Sequence, residues 1–201
     1  MTALTMLSYT AFEDHKILAA GRLEEVVLKV RRRLKASPSA SILVFSDSTG
    51  KLMDFDLRGS EAELIDRLKI FVSTEEQSPA SVCGPGRPKL GVVAREVSLL
   101  PRHWEWLATQ SGGASAALRR LIEEARKRPS ERELGRQAQE RTYKFMTAIA
   151  GDLCNYEEAL RALYASDKKR FQNLIREWPE DIREHSKKLA MPIWKTGEQE
   201  P

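Results

Sequence analysis

Three aspartates in the first third of the chain have side chains suited to metal binding or hydrolysis. Asp54 and Asp56 alternate along a predicted strand, so their carboxylates face the same side, and Asp47 precedes them in a predicted turn. Carboxylates bind divalent cations and act as general acids and bases. No histidine or glutamate accompanies them at a metal-ligand spacing, and alternation on a half-exposed sheet predicts the same pattern. The sequence therefore favours an exposed strand face over a metal site.

The other reactive side chains lack the spacing that catalysis requires. Cys83 and Cys154 lie far apart, and neither has a histidine at a motif spacing. This pattern argues against a disulfide framework, a zinc site and an activated thiol. Ser48-Thr49-Gly50-Lys51 contains a Gly-Lys pair, but the earlier glycine of a phosphate-binding loop is missing. We therefore expect no catalytic residue, no metal and no cofactor.

Positive charge is concentrated in the middle of the chain. The 201 residues carry a net charge of +4, and residues 81–128 hold nine basic and four acidic side chains, a net of +5. Residues 1–80 have a net charge of −1, and residues 129–201 have a net charge of zero. A concentrated basic segment is the usual footprint of a polyanionic partner. The alternative is an ordinary solvated surface.

Composition limits the class of protein. Apolar residues make up 41% of the chain and charged residues 31%, which suits one or two domains with a buried core. No apolar run reaches 18 residues, and no basic segment with a following apolar stretch begins the chain. We expect a cytoplasmic protein with reduced cysteines and no membrane partner.

The predicted fold class is α+β, and residues 1–72 form its first domain. Alternating and helical apolar spacings predict the order β-β-α-β-β-α. Ser60 and Glu63 match a capping box at the start of the last helix of this domain. The predicted strands are 8–12, 16–20, 41–45 and 52–57, and the predicted helices are 23–35 and 60–71.

Three further parts follow along the chain. Residues 73–90 are a predicted linker rich in Ser, Pro and Gly, and residues 91–128 are predicted as strand, helix, turn and helix. Residues 129–190 form a predicted helical domain, and residues 191–201 a frayed tail. The helices of this domain are predicted at 130–150, 155–165, 167–178 and 179–190, with Ser130, Asn155, Asp167 and Pro179 at their starts. Its bundle core or partner-binding face is predicted from Leu134, Ala138, Arg141, Phe145, Ile149, Phe171, Leu174 and Trp178.

The middle segment resembles a ribbon-helix-helix domain, as found in Arc and MetJ. The resemblance begins with Val97-Ser98-Leu99-Leu100-Pro101-Arg102-His103-Trp104-Glu105-Trp106-Leu107, in which Pro101 starts a helix after a strand. Its second half is Gly113-Ala114-Ser115 followed by Leu118, Leu121, Ile122 and Ala125. One strand and two short helices cannot bury an adequate core alone, so the resemblance implies a homodimer. Trp104 and Leu107 share a helix face and are expected in the core, while Trp106 lies on another side.

The same resemblance implies DNA contacts. In that fold a two-stranded ribbon enters the major groove, and the start of the second helix meets phosphate. Ala94, Glu96 and Ser98 would then face DNA, and Val93, Val97 and Leu99 would face the core. The backbone N–H groups of Gly113, Ala114 and Ser115 would meet phosphate, as would the side chains of Arg102, Arg119 and Arg120. The sequence departs from the family pattern because Ala94 offers only a methyl group and the charge of Glu96 opposes the phosphates. A segment that only dimerises therefore stays open.

A short basic string precedes this segment. Gly86-Arg87-Pro88-Lys89 resembles the core of an AT-hook, although Pro85 stands where that family has an arginine. The resemblance implies that Arg87 and Lys89 enter or line the minor groove of A·T-rich DNA. A plain linker is the alternative.

Nearly the whole chain is similar to a bacterial family of unknown function. The matching strings are 84–97 continuing into 101–107, Tyr9-Thr10-Ala11-Phe12 near the start, and 145–153 near the end. This resemblance implies a bacterial cytoplasmic protein in which these parts belong together, and it brings no activity.

The leading functional hypothesis is a dimeric, non-enzymatic DNA-binding protein, either a transcriptional regulator or an antitoxin-like autorepressor. The alternative is a structural or protein-interaction module in which the middle segment only dimerises. In that case the N-terminal sheet or the C-terminal helices would bind a protein partner.

Overall fold

The computed structural model describes residues 8–76, 95–127 and 130–196. The chain divides into two units: the first combines the described parts of 1–69 and 131–201, and the second comprises those of 70–130. The fold class is α+β, as predicted, with a four-stranded sheet and its helices followed by a mostly helical part.

The sheet of the first unit has the predicted element order. Strands β1 (Tyr9–Glu13) and β2 (Lys16–Gly21) are followed by helix α1 (Leu23–Ala36), strands β3 (Ile42–Ser46) and β4 (Leu52–Met53), and helix α2 (Glu61–Glu76). All paired strands are antiparallel, in the order β2-β1-β3-β4. Because β1 is central, its Tyr9, Ala11 and Phe12 are buried.

The fourth strand is shorter than predicted. The prediction extended it over 52–57, whereas β4 contains only Leu52 and Met53. Beyond them the carboxylate of Asp56 accepts hydrogen bonds from the backbone N–H and the guanidinium of Arg58. Such local bonds compete with strand pairing, so the chain turns away from the sheet. The predicted capping box is confirmed at the start of α2, where Ser60 and Glu63 exchange hydrogen bonds of 2.8 and 3.3 Å.

The C-terminal part contains four helices among the described residues. They are α5 (Glu131–Ile149), α6 (Tyr156–Tyr164), α7 (Lys168–Leu174) and α8 (Glu180–Thr196). Asp167 caps α7 as predicted, because its carboxylate accepts the N–H of Arg170 at 2.9 Å. Asn155 precedes α6 but makes no side-chain cap. The prediction carried α7 to Trp178, four residues too far.

The predicted frayed tail is wrong for residues 191–196, because α8 continues to Thr196 through Pro192. A proline inside a helix costs about 3 kcal/mol. The burial of Ile193 and Trp194 offsets that cost, since burying an Ile side chain alone contributes roughly 1.5–3 kcal/mol. Trp194 packs against Phe171 with ring centroids 5.8 Å apart.

The second unit contains α3 (Pro101–Ala108) and α4 (Gly113–Lys127), which confirms the predicted helix, turn and helix. The predicted strand over 91–99 lies partly outside the described residues, and residues 95–100 belong to no strand. Ser115 lies inside the first turn of α4, because Gly112 and Gly113, with φ of +82° and +74°, turn the chain directly into the helix.

The core of the first unit lies where the sheet meets the helices. Phe145 of α5 packs against Phe12 and Phe45 with ring centroids 5.4 and 4.9 Å apart. At the sheet edge, the N–H of Ile17 donates to the carboxylate of Asp181 at 2.7 Å. The predicted bundle core is confirmed for Ala138, Phe145, Phe171 and Trp178, which are buried, whereas Leu134 is exposed.

We expect Gly50, in the turn between β3 and β4, to be essential for the packing of that turn against α5. It is buried with φ of +68°, and a Cβ atom there would lie 1.9 Å from the carbonyl oxygen of Arg141 in α5. We expect Gly50→Ala to lower the free energy of unfolding by about 3 kcal/mol or more, through backbone strain and the clash together. Chemical denaturation measures this change.

Gly151→Ala is the control, because a Cβ at Gly151 would meet only the carbonyl oxygen of Thr147, at an ordinary 3.6 Å. This variant should stay within about 0.5 kcal/mol of the parent protein. Equal losses for the two variants would show that the approach of Gly50 to α5 does not limit stability.

Candidate functional site

Asp47 lies at the centre of a buried polar cluster in the first unit. It directly follows β3 and is 8% exposed. Its Oδ1 accepts a hydrogen bond from Thr10 Oγ1 and its Oδ2 accepts one from Ser8 Oγ, both at 2.8 Å. Lys188 Nζ of α8 donates to Oδ2 at 3.2 Å. Both carboxylate oxygens are thus occupied by donors from β1, the chain before it and α8.

These contacts determine the charge of Asp47. Burial raises the pKa of this carboxyl group, but the hydrogen bonds from Ser8 and Thr10, the positive charge of Lys188 and that of protonated His185 outweigh burial. The pKa of Asp47 therefore lies below its ordinary value, and the group is an anion at neutral pH.

His185 of α8 completes the cluster and is also buried. Its Nε2 lies 3.6 Å from Asp47 Oδ1 and has no hydrogen-bond partner among the described residues. The ring packs edge-on against Phe145 and Phe12, with centroids 4.7 and 5.4 Å away. Burial lowers the pKa of His185 to about 4 despite the nearby Asp47 anion, so the imidazole is neutral at pH 7.

Arg141 links the cluster to the rest of the helical layer. This half-buried side chain of α5 donates from Nε and Nη2 to the carbonyl oxygen of Leu189 in α8, at 3.0 and 2.9 Å. Burial lowers the pKa of Arg141, and Asp47 partly opposes that effect. The cluster thus joins β1, the turn after β3, α5 and α8.

The chemistry of this cluster is that of a packing contact. An aspartate beside a histidine resembles an acid–base pair, but the Asp47 oxygens are already bonded and both side chains are buried. Asp54 and Asp56, which sequence reasoning grouped with Asp47, are exposed. Within residues 8–76, 95–127 and 130–196, no three His, Cys, Asp or Glu side chains come together as a metal site.

Sequence reasoning missed His185 and Lys188. Each lies about 140 residues after Asp47, and neither stands in a recognisable motif with it. Of these two residues, only His185 could have been recognised from the sequence as buried, because it follows the apolar Ile182 at helical spacing on the face that α8 buries.

The predicted DNA-binding residues fall in two groups. Arg87, Lys89 and Ala94 lie outside the described residues. The others belong to the second unit and are exposed: Glu96, Ser98, Arg102, Ser115, Arg119 and Arg120. Arg119 Nε donates to the carbonyl oxygen of Ser115 at 3.0 Å, and Arg120 Nη2 donates to Gln110 Oε1 at 3.3 Å. These arginines therefore lie on the outer surface of α4.

The apolar side chains of the second unit are largely uncovered. Leu107 and Ala117 are buried, but Trp104 is 44% exposed and Val97 is 56% exposed. The predicted core positions of Val97 and Trp104 belong to a dimer, so their exposure in the single chain does not test that prediction. Two short helices offer too little surface to cover them.

A groove of about 270 Å³ runs between α3 and α4. Leu107 lies in the groove, and the lining side chains with a polar group are His103, through its imidazole, and Trp106, through its indole N–H. The described residues that line the groove are Leu99, His103, Trp106, Leu107, Leu118 and Leu121. A groove of this composition suits an apolar side chain better than a charged ligand.

Comparison with known proteins shows a family but no activity. The model of a family described as "Uncharacterized protein conserved in bacteria (DUF2239)" matches residues 8–190. No curated protein and no solved structure matches the chain. The described residues include no helix that is both long enough and apolar enough to cross a membrane.

We expect His185 to make stability depend on pH. Its pKa is about 4 in the folded chain and about 6.5 in an unfolded one, so the unfolded chain binds the additional proton as the pH falls. The contribution of neutral His185 to the free energy of unfolding is fully present above pH 6.5. The free energy of unfolding then decreases by about 3 kcal/mol as the pH falls from 6.5 to 4. Denaturation at several pH values measures this dependence.

His185→Gln should flatten the pH dependence between pH 6.5 and 4.5, because glutamine does not titrate. His15→Gln, at an exposed position, is the matched control and should leave the dependence intact. An unchanged pH dependence in His185→Gln would contradict the assignment to His185.

Proposed function

We propose that this chain, which belongs to the DUF2239 family of bacterial proteins, is a homodimer that binds DNA through its middle segment and acts as a transcriptional regulator. One observation carries the proposal: uncovered apolar side chains and excess positive charge occur in the same part of the chain. The uncovered apolar side chains favour association with another copy of the chain, and the excess positive charge favours binding to a polyanion.

The uncovered apolar surface supports the homodimer. Among the described residues, half of the exposed large apolar side chains fall within residues 97–122, namely Val97, Leu100, Trp104, Trp106, Leu121 and Ile122. Side chains of this size expose on the order of 100 Å² each when half uncovered, or roughly 600 Å² together. This total is spread over more than one face, because Trp104 and Trp106 lie on different sides of α3, and a second copy that covered part of it would bury apolar surface that is otherwise exposed to water.

The basic side chains support DNA as the ligand. Arg102, Arg119 and Arg120 are exposed on α3 and α4 and can reach phosphate. Residues 81–128 have a net charge of +5, while the rest of the chain has a net charge close to zero. Arg87 and Lys89, in the AT-hook-like string before residues 91–128, would enter or line the minor groove. Ala94, Glu96 and Ser98 would face the major groove if the ribbon forms between two copies.

A second candidate function is a module that dimerises but does not bind DNA. The exposed carboxylate of Glu96 favours it, because this group would lie against phosphates on the ribbon face. Residues 95–100 also belong to no strand in the single chain. A protein partner on the sheet or on the C-terminal helices would then provide the function.

We expect fluorescence anisotropy to detect salt-dependent binding to duplex DNA, stronger for an A·T-rich duplex than for one of mixed sequence. Changing Arg87 and Lys89 to alanine together should weaken binding to both duplexes. The slope of log K against log salt should decrease by up to about two, because two phosphate-neutralising cations are removed.

Lys168→Ala with Lys169→Ala is the control, since it removes two exposed cations of the first unit. Its slope should equal that of the parent protein. A dimer that shows no DNA binding even at low salt would reject DNA binding and favour the second candidate. An unchanged slope in the Arg87 and Lys89 variant would reject the role of those two residues.

A further inference from the structure

One side of α4 carries an apolar stripe that is partly exposed. Along this helix Ala114, Ala117, Leu118, Leu121, Ile122 and Ala125 recur at spacings of three and four, which puts them on one stripe. Ala117 is buried, whereas Leu121 is 39% exposed and Ile122 is 56% exposed. Ile122 does not line the groove, so it projects beside it.

A groove and a projecting apolar side chain thus lie on the same face of one small unit. Leu118 and Leu121 line the groove from α4, and Ile122 lies four residues after Leu118, on the same side of the helix. An interface with two-fold symmetry needs such a surface, because each copy must supply both the projection and the recess. A groove of about 270 Å³ has room for a branched aliphatic side chain.

We propose that the α3–α4 face pairs with the same face of a second copy, with Ile122 of each copy seated in the groove of the other. This inference rests on the proposed homodimer and identifies the surface that forms it. Trp106, which is 49% exposed and lines the groove from α3, closes over the inserted side chain. The outer surface of α4, with Arg119 and Arg120, remains free for phosphate.

The amount of apolar surface favours a second copy over other occupants. Leu99, Trp106, Leu118, Leu121 and Ile122 are at least partly exposed and contribute apolar surface to this face. Two such faces complete each other without any charged group entering the groove, since the described residues of its lining are leucines, the indole of Trp106 and the imidazole of His103. An acidic or basic peptide would find no complementary charge there.

The experiment uses two complementary variants of the full-length chain. Ile122→Asp places a carboxylate on the projection, and Trp106→Lys places an ammonium group at the groove. Each variant alone should raise the dimer dissociation constant at least tenfold, because two charges must enter apolar recesses. Mixed in equal amounts, the variants should form a heterodimer with a dissociation constant within a few-fold of the parent value. In that complex, the carboxylate introduced on the projection of one chain meets the ammonium group introduced at the groove of the other, and the second contact is the native one.

Sedimentation velocity with one chain fluorescently labelled measures all three constants without DNA. Leu52→Asp is the control for added charge, because Leu52 is 51% exposed in the first unit, and it should leave the dimer intact. Circular dichroism shows whether each variant is folded before mixing. Restored association in the mixture also demonstrates that both variant chains are folded and able to associate.

The outcomes separate this inference from the proposed function. A dimer that persists in both single variants would reject the α3–α4 interface while leaving a homodimer possible by another surface. Weakened single variants that do not associate on mixing would reject the seating of Ile122 in the groove. A dimer with the expected variant behaviour but no DNA binding would reject only the DNA-binding half of the proposed function.

Discussion

The buried carboxylate of Asp47 is the constraint on which the first unit depends. An ionised carboxylate in a protein interior is costly unless several donors surround it. Here those donors come from Ser8, Thr10 and Lys188, which belong to both ends of the described chain. The aromatic contacts of Phe12, Phe45 and Phe145 contribute apolar burial between the sheet and the helices, but they do not define a unique arrangement. The Asp47 carboxylate does define the arrangement, because all its hydrogen bonds form only when β1 and α8 meet in this register.

The described residues of the second unit include no comparable buried charge. Its buried large side chain is Leu107, and its apolar stripe on α4 remains mostly uncovered among the described residues. Ordering each residue costs roughly 1–2 kcal/mol, so a pair of short helices with so little burial gains little stability from its own contacts. The same property that makes this unit weak alone makes it suitable for association, since its apolar surface gains most from a partner.

Local rules predicted the local features of this fold. The element order of the sheet, the Ser60–Glu63 capping box and the Asp167 cap follow from short-range patterns, and each is present. The errors arise where distant parts of the chain compete with those patterns. Helix α8 continues through Pro192 because Trp194 packs against Phe171. The Asp47–His185 contact joins residues 138 positions apart. The predicted core positions of Val97 and Trp104 assumed a partner that a single chain does not supply.

The contact between Ile17 and Asp181 has a consequence for synthesis of the chain, because it spans 164 residues. During translation the strands β1 to β4 leave the ribosome well before α8, so Phe12 and Phe45 emerge without the helical layer that covers them. The first unit therefore completes its fold only after α8 has emerged. The helices α3 and α4, built from local contacts, form earlier, so the nascent chain exposes their apolar side chains before α8 covers the sheet.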